Sequence, residues 1–142
     1  MFSKEESRRI RHQFWTSFGK SFPRKWILYN TKIKGLSFKF HFDTKNALVA
    51  LDVEGDLEKR IDHWEKLVSL RTILISDFLP DAIYEETYQL ENGKEISRIY
   101  VPLDAKVSIH NKDSWRTTME FFNATMGSFE AFFQDYKEVI SA

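Results

Sequence analysis

The sequence predicts an α+β protein: one layer of mainly antiparallel sheet, five or six strands, packed by three helices in the order αβββαββα. Three observations predict it. Two segments alternate apolar and polar residues and return through short turns. Three others repeat apolar residues every three or four positions. No linker, internal repeat or low-complexity tract interrupts them, so residues 1–142 read as a single domain.

Ser3 and Glu6 stand at capping-box spacing, with Phe2 placed as a staple, so the first helix starts there. Ile10, Phe14 and Phe18 recur every four residues, Trp15 and Phe22 widen the stripe, and Gly19 and Pro23 mark its end. Trp26–Asn30 reads as a short strand. Next, Leu36, Phe38, Phe40 and Phe42 alternate with Ser37, Lys39, His41 and Asp43, and the pattern resumes at Ala47, Val49, Leu51 and Val53. A two-residue loop at Thr44-Lys45 opposes 42 with 47, 40 with 49, 38 with 51 and 36 with 53, and each of these pairs is apolar.

Asp56 can cap a second helix whose stripe runs Leu57, Ile61, Trp64, Val68, Ile75, Phe78 and ends at Pro80. Asn92-Gly93 suits the type I′ turn of a second hairpin, in a register that opposes 88 with 97, 86 with 99 and 84 with 101. Arg98 is then diagonal to Glu85, and Tyr100 lies directly across from it. Val107–Ile109 is a further strand candidate. Asp113 caps the last helix, with the stripe Trp115, Met119, Phe122, Met126, Phe129, Phe133, Tyr136 and Ile140. Unbroken from 113 to 140 it would be about 42 Å long. That exceeds a compact domain of this size, so either Asn123–Gly127 breaks it or its end projects.

Composition limits the chemistry. Thirteen Phe, five Tyr and four Trp supply a large aromatic core, and the absence of Cys excludes disulfides, thiolate catalysis and Cys-ligated zinc. The N-terminus is charged at once and lacks the apolar stretch of a signal peptide, and no run is long enough to span a bilayer. A cytoplasmic protein with no membrane partner is expected. The 21 basic and 21 acidic residues cancel, but unevenly along the chain: residues 1–42 hold ten basic side chains and two acids, net +8, and the remainder is net −8. Such segregation suits a polyanion partner or a self-complementary assembly.

No metal or cofactor is expected. The four histidines, His12, His41, His63 and His110, lack ligand spacing, and there is no glycine-rich phosphate loop or nucleophile elbow. A Mg²⁺-dependent nuclease of the PD-(D/E)xK kind would need Asp43 and Asp52 together and an acid-x-Lys on the strand. The hairpin register holds these two acids roughly 25 Å apart along the strands, and Glu54 occupies the lysine's position. Lys39, His41 and Asp52, with Ser37, share a strand face that could line a groove or simply pair Lys39 diagonally with Asp52. Glu85, Arg98 and Tyr100 form a polar constellation that could be structural or could grip a phosphate or carboxylate. Arg8, Arg11 and Trp15 on the first helix, followed by Arg24 and Lys25, interleave cations with aromatics as single-strand binders do. A solvated helix face balanced by acidic helix two is the alternative.

Several pieces together resemble a bacterial family of domains of unknown function, DUF4268: Arg11-His12-Gln13-Phe14-Trp15 with Phe18-Gly19, Lys25-Trp26 through Tyr29-Asn30, Ser97-Arg98-Ile99-Tyr100, and Trp115 after Asn111-Lys112-Asp113. The resemblance implies an accessory domain of the kind often found downstream of nuclease-like domains, and it carries no catalytic residue across. The combined expectation is a non-catalytic binding domain contacting nucleic acid through its basic N-terminal surface. The alternatives are self-association through the C-terminal helix and a divergent nuclease-like enzyme.

Overall fold

The computed structural model describes residues 2–142. Its order is α1 (Lys4–Ser21), β1 (Leu36–Phe42), β2 (Ala47–Val53), α2 (Leu57–Ser69), α3 (Arg71–Asp77), β3 (Ile83–Gln89), β4 (Glu95–Pro102) and α4 (Trp115–Ser141), with a 3-10 turn (Lys112–Ser114) leading into α4. All strand pairs are antiparallel, in the spatial order β1-β2-β4-β3. The fold is α+β in the order αββααββα, with four strands where five or six were expected and four helices in place of three.

The first hairpin has the expected register, from Leu36 opposite Val53 to Phe42 opposite Ala47. Apolar pairs on one face and a two-residue loop leave no competing alignment. Asp43 ties the loop down: its Oδ1 accepts from the backbone N–H groups of Lys45 and Asn46, both at 2.8 Å. Just before β1, Gly35 has φ +90°, and a side chain there would put its Cβ 2.6 Å from the Glu54 carbonyl oxygen. The backbones at the two ends of this hairpin therefore meet where only glycine fits.

Two expected strands are absent. Trp26–Asn30 is irregular: Leu28 has φ +46°, and the Leu28 carbonyl accepts from Phe38 on the β1 edge. The Ile27 N–H donates instead to the Glu130 carboxylate at 2.6 Å. Val107–Ile109 is a loop pinned by its buried apolar side chains and by the Ile109 N–H to the Asp43 carbonyl, 2.9 Å. Each segment follows the sheet without entering a ladder.

The helices also depart from expectation in part. Ser3 and Glu6 do form the capping box, but α1 continues past Gly19 to Ser21 and stops short of Pro23. The second helix divides at Leu70, where the Ser69 hydroxyl donates to the Lys66 carbonyl and competes with the helical ladder. Asp113 is not the cap of α4; Asn111 accepts from the Asp113 N–H and starts the 3-10 turn. At 27 residues, about 40 Å long, α4 neither breaks near Gly127 nor projects. Buried side chains run from Trp115 to Ile140, because the helix crosses the whole layer. Its first half packs on α1 and β1 through Phe122, and its second half meets α3 through Phe132 and Phe78.

The second hairpin is displaced from its expected register. Glu91, Asn92 and Gly93 form a three-residue loop with only Gly93 at positive φ, so the turn is not type I′. This loop and a bulge between Glu85 and Tyr88 each add a shift, so Tyr84 faces Ile99 and Glu85 faces Arg98. Arg98 is thus directly across from Glu85, and Tyr100 is the diagonal neighbour.

The helices gather on one face of the sheet. The core takes Leu36, Phe38, Phe42, Ala47, Val49, Leu51, Val53, Ile99 and Val101 from that face and joins them to Phe14, Phe18, Phe122, Phe129 and Phe133. At full burial each such aromatic contributes roughly 1.5–3 kcal/mol. The opposite sheet face carries Lys39, His41, Asp52, Arg98 and Tyr100 and supplies nothing to this core.

Candidate functional site

Alternation that sends Phe38 and Leu51 to the core sends Lys39, His41 and Asp52 to the open face, and β2–β4 pairing sets Arg98 directly against Asp52. Asp52 is fully buried although no helix covers it. Arg98 grips it with two bonds, Nε to Oδ1 at 2.6 Å and Nη2 to Oδ2 at 2.9 Å. Lys39 adds a contact to Oδ2 at 3.0 Å and reaches Glu54 at 3.5 Å, and Glu54 is held from the other side by Lys94 at 2.8 Å. The diagonal Lys39–Asp52 pair therefore exists.

These contacts move the ionisations in consistent directions. Burial alone would lower the Lys39 and Arg98 pKa values, but their bonds to Asp52 outweigh it and raise both. Burial would raise Glu54, yet the Lys94 and Lys39 ammoniums hold its carboxyl below the ordinary value. Asp43 is likewise raised by burial but lowered further by the Asn46 and Lys45 N–H groups and by His41, so it ends below its ordinary value. Tyr100 donates to Glu85 Oε1 at 2.6 Å, and burial with that acceptor pushes its hydroxyl up to about 12. Both Asp52 oxygens are engaged by cations, Oδ1 by Arg98 and Oδ2 by Arg98 and Lys39. Among the described residues no three His, Asp or Glu side chains could hold a metal ion together.

Beside this network lies a cleft of about 500 Å³, bordered by His41, Asn46, Leu48, Tyr88, Asn92 and Arg98. The Arg98 guanidinium stacks 4.5 Å from the centre of the Tyr88 ring, and Tyr100 meets that ring edge-on at 5.6 Å. His41 Nε2 and Asp43 Oδ2 lie 2.8 Å apart at the rim.

The basic front resolves into separate parts. Lys4, Arg8 and Arg11 recur along one side of α1 and, with Phe2 and Ser7, border a surface depression of about 400 Å³. Lys25 follows the other end of α1, whose last residue, Ser21, is about 20 Å from Arg8 along the helix axis. Trp15 is not an open platform: its ring stacks on Phe122 at 5.8 Å and 4°. Arg24 is tied to Glu130 at 2.8 Å and lies 4.5 Å over the Trp26 ring, so it fixes the segment after α1. Glu130 was missed from sequence. It is buried in α4, and its signal was an acid four residues after Met126 on the apolar side of a helix. His110 was also missed; it bonds the Ser7 hydroxyl at 3.1 Å and packs on Phe2.

The C-terminal helix, the other expected contact surface, turns Phe129 and Phe133 into the core and leaves Val139 as its exposed large apolar side chain. No helix among the described residues is long and apolar enough to cross a membrane.

An antiparallel sheet with helices on one face and an ion-paired, uncovered opposite face defines a two-layer α+β domain. The family described as Domain of unknown function (DUF4268) matches residues 10–137, and the chain belongs to it. No curated protein and no solved structure matches the chain.

Proposed function

We propose that this domain is a non-catalytic binding module that holds nucleic acid through phosphate contacts from α1. One observation carries the reading. Of the ten basic side chains in residues 1–42, only Arg24 and Lys39 are ion-paired among the described residues. The others include Lys4, Arg8 and Arg11, which border one shared depression. Guanidinium groups free of internal carboxylates and grouped at one helix end suit the forked hydrogen bonding that phosphate oxygens accept. Asp52 and Glu54 are each paired with two cations, which supports binding over hydrolysis. The buried apolar stripe of α4 supplies no comparable support for self-association.

The test is fluorescence anisotropy with labelled DNA and RNA across a salt series. Three phosphate contacts lower affinity about 40-fold between 50 and 200 mM salt. Lys4→Ala/Arg8→Ala/Arg11→Ala should weaken binding to all sequences alike and reduce the salt slope by about 3. Absent binding at low salt, or affinity indifferent to salt, overturns the reading.

A further inference from the structure

We propose that the cleft on the open face of the sheet receives one unpaired nucleobase, making the domain selective for single strands; the inference rests on the phosphate-binding reading of α1. The cleft's volume of about 500 Å³ lies within the range of small-ligand sites. Its chemistry excludes a phosphate as the group received. Arg98 is the cationic guanidinium bordering it, and Nε and Nη2 are both bonded to Asp52, while Asp43 and Glu91 at the rim add negative charge. An uncharged group with mixed donors and acceptors fits this lining better. Asn46 and Gln89 bring two carboxamides, each offering N–H and C=O side by side, and Asn92 adds the N–H groups of a third whose Oδ1 accepts from the Lys94 N–H. That is the complement of a base's pairing edge, which also alternates donors and acceptors. Tyr88 supplies an aromatic plate held by the Arg98 guanidinium on its face and Tyr100 at its edge, so little rotamer freedom is lost on stacking.

The cleft is also joined to the basic helix. The Asp43 carbonyl on its rim accepts from Ile109, and the next residue, His110, bonds Ser7. Ser7 borders the depression formed by Lys4, Arg8 and Arg11. A strand whose phosphates lie along the first turns of α1 can therefore carry a base around the 109–110 segment into the cleft, leaving its charges outside.

The experiment separates base contacts from phosphate contacts. Labelled 12-nucleotide DNA of mixed sequence is compared with an abasic 12-mer of equal charge and with the duplex. The expected result is about 5- to 150-fold tighter binding of the mixed single strand than of the abasic strand, the range for one stacked base. Asn46→Ala/Gln89→Ala, both surface positions, and Tyr88→Ala should reduce that preference toward unity while leaving abasic affinity unchanged, with circular dichroism confirming the fold. Equal, salt-sensitive binding of base-bearing and abasic strands overturns this inference and leaves the phosphate reading standing. Retention of the preference in the cleft variants also overturns it. Failure of wild-type protein to bind any of the three removes both readings.

Discussion

The two faces of the sheet each bury side chains from water, by opposite means. On one, rings and branched aliphatic side chains from α1, α3 and α4 cover the strands, and Phe38, Val49, Leu51 and Ile99 reach zero exposure. On the other, no helix is present, yet Asp52 is equally inaccessible because Arg98 and Lys39 fold over it. Dispersion and transfer from water sustain the first face, and neither depends on pH. The second depends on charges that must all be present. A buried pair of this kind has a large desolvation penalty and gives mainly geometric definition. The difference assigns the faces distinct roles: the apolar face holds the fold together, and the ionic face fixes the orientation of Tyr88 and Arg98 at the cleft.

The largest effects should come from removing one component of each face. Phe122→Ala, among the rings of Phe14, Phe18 and Phe40, should cost about 3–5 kcal/mol by denaturant unfolding. Asp52→Ala should cost a similar amount, about 3–5 kcal/mol, because it leaves Arg98 buried without its counter-charge. The comparison is broken or upheld by the double variant Asp52→Leu/Arg98→Met. If the open face is held by charge pairing, replacing both partners should recover most of the loss, whereas no second substitution refills the Phe122 cavity so simply. A double variant as unstable as Asp52→Ala would place the ionic face on the same footing as the apolar one.

Titration sharpens the contrast. Glu54 and Asp43 have folded pKa values below their ordinary 4.5 and 3.8, so the stability they supply is complete above those values and is lost as pH falls through the lower folded ones. Lys39 is raised above 10.5, so its contribution is complete below that pH and is lost as pH rises through the folded value. With Tyr100 raised from 10.0, the open face should therefore be fully effective between roughly pH 4.5 and 10 and fade on both sides. Glu54→Gln should cost about 1–2 kcal/mol at neutral pH and flatten the acid limb below pH 4.5. An acid limb unchanged in that variant would show that Glu54 and its two lysines do not govern it.

The apolar face was also the more legible one. The first hairpin follows from sequence because the register its two-residue loop sets puts Phe38, Phe40 and Phe42 opposite Leu51, Val49 and Ala47 on one face. The second contains the same kind of signal but hides its register. Asn92-Gly93 serves a two- or a three-residue loop equally well, and nothing local marks the bulge between Glu85 and Tyr88. Helix α2 breaks at Leu70 inside an uninterrupted apolar stripe, so periodicity reads through the break. At the site, Lys39–Asp52 was accessible because both residues lie in one hairpin. Arg98–Asp52 was not, since it requires knowing that β4 lies beside β2, a pairing between residues 46 positions apart. Arg24 and Trp15 read as surface contacts because their partners, Glu130 and Phe122, come from the far end of the chain.

The smallest expected effect concerns the edge of the open face, where Tyr100 and Glu85 interact alone. Tyr100→Phe keeps the ring against Tyr88 and removes only the hydroxyl, so it should cost about 0.5–1.5 kcal/mol. Its diagnostic value lies at high pH. The hydroxyl is raised from 10.0 to about 12, so the unfolded chain ionises first and stability falls as pH climbs between those values. In Tyr100→Phe the alkaline limb should become shallower, leaving the losses that Tyr84 and Lys39 cause. Tyr84, on the covered face, is raised further by burial, so it too ionises first in the unfolded chain from 10.0 upward and adds its own loss over the same range, equally in wild type and variant. Unfolding curves at pH 10, 11 and 12 isolate the Tyr100 share: a limb as steep in Tyr100→Phe as in wild type would assign the alkaline sensitivity to Tyr84 and Lys39 and none of it to Tyr100.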